Sequence, residues 1–141
     1  MMLSWQNRQS MTVESAMDSL GWRWRATFEL ERGLNPGALQ SFVRAVGLSE
    51  EGPVSYTPKG LARMLDAHGP LWVDSDDSGP ENQWSHIRIV TAMRGDGTTV
   101  TFADPAESTL KTELFTHFAR RMEAPDPVRV TVRLGAGIYH F

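Results

Sequence analysis

His86 and Asp104 are the residues whose types and placement best suit chemistry. His86 opens the run HIRIVTAM after a long polar loop, and Asp104 closes TTVTFAD beyond the Gly95-Asp96-Gly97 turn. Two strand-like runs around such a turn read as a β-hairpin. In an antiparallel pair the start of one strand lies beside the end of the next, so imidazole and carboxylate can reach one edge of the sheet. A carboxylate beside an imidazole fixes the ring tautomer and stabilises its protonated form. That is the base-and-orienter half of a catalytic triad. The spacing also fits a second reading, a histidine at a strand end and an Asp-Pro turn capping a later helix. The usual third member is missing from these residues. The chain has no cysteine, which removes thiol nucleophiles, disulfides and thiolate metal sites.

Other constellations are weaker. Asp74, Asp76 and Ser78-Gly79 match the opening of a calcium loop, but the twelfth position is Ser85 instead of glutamate and Pro80 follows the glycine. An acidic loop is the better reading. His68, His117 and His140 show no ligand spacing, so no metal is expected; His68 ends a helix, where a cation suits the macrodipole. Trp22, Trp24 and Phe28 read as core rather than as a substrate platform. Arg120-Arg121 reads as the solvated end of a helix. No phosphate loop or dinucleotide fingerprint occurs, so no cofactor is expected.

These residues need elements to position them. The 141 residues fit one domain, 40% of them hydrophobic and 22% charged. A net charge of -3 argues against a nucleic-acid partner and against a membrane surface. No apolar run is long enough to span a bilayer, and no signal peptide precedes the first polar segment, which leaves the compartment open. Helical signals fill the first half and strand signals dominate the second, so the fold class is α+β.

Met1 to Arg8 reads as the end of a helix. Thr12 caps a helix with Val13, Ala16, Met17 and Leu20 inward, ended by Gly21. Trp22 to Leu30 reads as a less regular segment closed by Gly33. Asn35-Pro36 and Thr57-Pro58 open two more helices, with apolar stripes at Leu39, Phe42, Val43 and Val46, and at Leu61, Met64 and Leu65. Leu71 to Val73 is a strand, and a polar loop follows from Asp74 to Trp84. In the hairpin Ile87, Ile89, Thr91 and Met93 share one face, while His86, Arg88 and Val90 share the other. A helix capped by Ser108 carries Leu110, Leu114, Phe115, Phe118 and Met122 inward. Val128 to Arg133 and Ile138 to Phe141 close the chain as strands.

GPLWV at Gly69–Val73, HIRIVTAMRGDGT at His86–Thr98 and FADP at Phe102–Pro105 resemble the second half of bacterial papain-like cysteine peptidases. The similar group includes the secreted-effector type and its bacteriocin-processing relatives. SYTPKGLARMLDAHGPLWV resembles the helix that precedes their first strand, and Ser108 to Glu123 resembles their closing helix. The resemblance implies a papain-like α+β fold, a helical half packed on a small antiparallel sheet with a cleft between. It implies His86 as general base and Asp104 as its orienter, Trp72 and Trp84 lining the cleft, and a peptide or protein as substrate or partner. It implies neither cofactor nor metal.

The family's nucleophile sits in a motif resembling Cys-Trp-Ala-Ala at the start of the first helix, which here reads only from Met1-Met2-Leu3-Ser4-Trp5. By that register residues 1–141 are a single papain-like domain that lacks the nucleophile and the oxyanion-hole glutamine. Two functional expectations follow: a cysteine peptidase domain inactive as given, or a non-catalytic relative that binds a peptide or protein in the inherited cleft. An apolar groove left by the shortened helix makes a homodimer a secondary expectation.

Overall fold

Short-range caps set most helix boundaries. In the computed structural model, which describes residues 2–30, 36–51, 57–75, 86–104, 107, 109–123 and 137–141, Thr12 Oγ1 accepts the Ser15 N–H at 3.1 Å and Thr57 Oγ1 the Gly60 N–H at 3.0 Å. Each satisfies one donor of an exposed first turn. The chain forms two compact units, Met1–Ser49 with Phe141, and Glu50–His140.

The first unit contains α1 (Met2–Gln6), α2 (Val13–Leu20), α3 (Trp22–Glu29) and α4 (Pro36–Val46). Its α3 is a regular helix where the sequence suggested irregular chain. Gly21, at φ 105°, takes a conformation that L side chains resist, which ends α2 and lets α3 begin at the next residue. Arg25 then bonds Glu29 at 2.7 Å, one turn along α3. The aromatic group does not form one core. Trp24 is buried edge-on against Phe42 with centroids 5.1 Å apart, whereas Trp22 is 84% exposed and Phe28 is also exposed. Residues two positions apart on a helix point about 200° apart, so Trp22 and Trp24 cannot share a face. Val13, expected inward, is exposed on the first turn of α2.

Among the described residues, the second unit holds α5 (Pro58–His68), α6 (Phe115–Glu123) and, but for Ser49, a sheet of six strands: β1 (Ser49–Glu51), β2 (Leu71–Ser75), β3 (His86–Met93), β4 (Thr99–Ala103), β5 (Leu110–Leu114) and β6 (Ile138–His140). The spatial order is β1-β6-β2-β3-β4-β5. The pairs β2/β3, β2/β6, β3/β4 and β4/β5 are antiparallel. The fold class is α+β, as the order of local signals indicated. Leu61 of α5 and Phe115, Phe118 and Met122 of α6 join Leu71, Val73, Val90, Val100, Phe102 and Ile138 in one core. No described helix is long and apolar enough to cross a membrane.

Three expectations are corrected here. First, β2 continues through Asp74 and Ser75, so the polar loop begins later; Asp74 is buried at 5% exposure, and residues 76–85 lie outside the described residues. Second, simple alternation fails along β3. A register shift between Val90 and Ala92 changes the phase, and Met93 packs on the core with Val90 rather than sharing the face of Ile87 and Ile89. Third, Leu110–Leu114 is a strand. Thr101 and Thr112 hydroxyls meet at 3.0 Å across β4/β5, and Leu110 and Leu114 are exposed. The helix starts only at Phe115, whose N–H donates to the Thr98 carbonyl at 2.9 Å. The expected strand at 128–133 lies outside the described residues.

Candidate functional site

The β2–β3–β4 pairing positions the hairpin residues singled out above. His86 is the first residue of β3 and lies opposite Ser75 of β2. Ile89 pairs with Ala103 of β4, so continuing the register by one residue sets Arg88 across from Asp104. The two meet: Arg88 Nε lies 3.8 Å from Asp104 Oδ2, with the side chains 7% and 9% exposed. The Arg88 guanidinium carbon also lies 5.1 Å from the Phe102 ring centroid. The Glu107 N–H donates to the Asp104 carbonyl at 3.0 Å.

A buried carboxylate is stable only when its charge is matched, and Arg88 supplies the match. The arrangement can therefore hold a fixed negative group at the end of β4, two residues along from the level of His86. The side chain of His86 lies outside the described residues, and so does Trp84. Trp72 is buried in β2 between Ile89 and Tyr139, with its ring 5.7 Å from that of Tyr139. Sequence reasoning put Arg88 on the His86 face but gave it no role. The register of the hairpin carried the signal, because it sets an arginine opposite the aspartate.

Metal-type donors meet elsewhere in the same unit. Glu51 of β1, His68 at the end of α5 and His140 of β6 bring one ligand atom each within 4.8 Å of one another. His140 Nε2 lies 2.8 Å from Glu51 Oε1, and the His68 and His140 rings stack with centroids 3.6 Å apart. His117 is exposed on α6 and takes no part in this cluster. No local spacing announces the group, since 89 positions separate Glu51 from His140. Arg121, expected to be solvated, instead forms an ion pair with Glu113 of β5.

One family model, described as papain-like cysteine protease AvrRpt2, matches residues 1–123, a span that includes both hairpin strands, Arg88 and Asp104. Comparison with curated proteins gives no match.

Proposed function

The chain belongs to the papain-like cysteine protease AvrRpt2 family, and from that premise we propose that these residues carry the proton-handling part of a cysteine-peptidase site without its nucleophile. The observation that supports this reading is a cysteine count of zero in a chain of that family. In thiol proteolysis a thiolate attacks the peptide carbonyl, and a paired histidine takes the thiol proton and returns it to the leaving amine. His86 would be that proton carrier and Asp104 the group that orients its ring. Arg88, packed against Asp104, would fix the carboxylate that does the orienting.

Hydroxyls are poor substitutes for the missing thiol. Ser4 Oγ already accepts the Met11 N–H at 3.2 Å, and a serine without an aligned base is not nucleophilic. Residues 1–141 are accordingly inactive as a peptidase by themselves.

A second reading is that the domain binds a peptide or protein without cleaving it. Trp22, 84% exposed, is a large aromatic side chain that such a partner would cover. The test is to incubate the protein with a peptide mixture and score both products and retained peptides by mass spectrometry. Peptide retention without cleavage, unchanged in His86→Ala, supports the binding role. Cleavage above the buffer blank that disappears in His86→Ala would overturn the claim of inactivity.

A further inference from the structure

We propose that Glu51, His68 and His140 form a binding site for a zinc-type divalent metal ion. Two imidazole nitrogens and one carboxylate oxygen are a donor set that suits Zn²⁺, which takes nitrogen and oxygen ligands at about 2.0–2.2 Å. In a tetrahedral site such ligand atoms stand about 3.3 Å apart. Here they lie within 4.8 Å of one another, with the His140–Glu51 pair already at 2.8 Å. Binding requires the His68 ring to turn out of its stack on His140, so that both nitrogen lone pairs converge on the ion.

The surroundings favour a cation. His68 is the last residue of α5, where the helix presents its negative end. His140 is 7% exposed, so one ligand is held in a packed environment. Glu51 brings the negative charge that a divalent ion needs as counterion. A second contact between the same two strands, Tyr139 OH to Glu50 Oε1 at 3.4 Å, holds β1 beside β6. The ligands come from three elements, β1, α5 and β6, so a bound ion ties the helix end to the sheet. Three protein ligands leave a fourth position for water.

This site uses none of the residues assigned to proton handling. His140 also lies beyond residue 123, where the family match ends. The alternative is a stacked histidine pair with one ion pair, which needs no metal.

Isothermal titration of the tag-free, chelator-stripped full chain with Zn²⁺ alone should give one ion per chain. Co²⁺ in its place should give the visible absorption bands of a four-coordinate site. His68→Ala should weaken binding beyond the roughly 10–100-fold typical of losing an outer-shell partner. That variant leaves the Glu51–His140 contact in place, and circular dichroism checks its fold. His117→Ala should leave the affinity unchanged. Zn²⁺ at about 100 times its Kd should raise Tm by about 5–10 °C. Absence of stoichiometric binding by the folded wild-type chain, or full affinity in folded His68→Ala, would overturn the proposal.

Discussion

Arg88 and Asp104 meet across the β3–β4 hairpin as a buried ion pair, Nε to Oδ2 at 3.8 Å. The arginine comes from within one strand and the aspartate from just beyond the end of the other. Because both side chains are shielded from water, each charge depends on its partner far more than a surface pair would. The end of β4 is thereby tied to the middle of β3.

Asp104→Ala should destabilise the fold by about 3–5 kcal/mol, because it removes one member of a buried ion pair. Arg88→Met should cost a similar amount. The double variant should cost clearly less than the sum, read from urea unfolding midpoints. Additive single costs would mean the two residues are not coupled.

Asp96 in the hairpin turn has its carboxyl pKa lowered, first by the hydrogen bond from the Thr98 hydroxyl and next by the bond from the Thr98 backbone N–H. The ionised form is the one favoured in the fold. The contribution is present above the ordinary aspartate range and is lost as pH falls through the lowered value. Thr98→Val should move the Asp96 titration, followed by NMR, back upward. A titration that does not move would show that the hydroxyl is not the main cause.

Gly97→Ala should destabilise the turn by more than the ~1 kcal/mol typical of a helix-interior glycine effect. Its φ of 73° is strained for L residues, and an added Cβ would come within 2.8 Å of Pro58 Cβ at the start of α5. Thermal unfolding gives the readout. Gly95→Ala meets nothing within 4 Å and serves as the control.

The boundary between β5 and α6 makes its own prediction. Phe118 is fully buried, and Phe118→Ala should cost about 3–5 kcal/mol. Leu110 is 61% exposed, and Leu110→Ala should stay within about 0.5 kcal/mol. A continuous helix from Ser108 with Leu110 inward would make both substitutions costly.

Much of the fold was legible because its signals are local. Thr57-Pro58 announces α5 and Gly69 ends it, since cap, proline and left-handed glycine act within one turn. The β3–β4 hairpin follows from strand-like runs around a glycine-rich turn. The β5–α6 boundary was not legible, because Leu110, Leu114, Phe115 and Phe118 also fit helical spacing. Cross-strand partners on β4 decided that segment, and a one-dimensional pattern does not contain them. The same holds for the bulge in β3, which only the pairing with β4 reveals.

By itself the sequence determined that no thiol chemistry is available to these residues, that the fold is α+β, and that His86 and Asp104 flank one hairpin. Tertiary structure alone decided that Asp104 is held by Arg88 and that Glu51, His68 and His140 converge. Residue type is a property of each position and needs no neighbour. Ion pairing and ligand convergence depend on distances between segments far apart in the chain, and those distances are set by how strands register and helices pack.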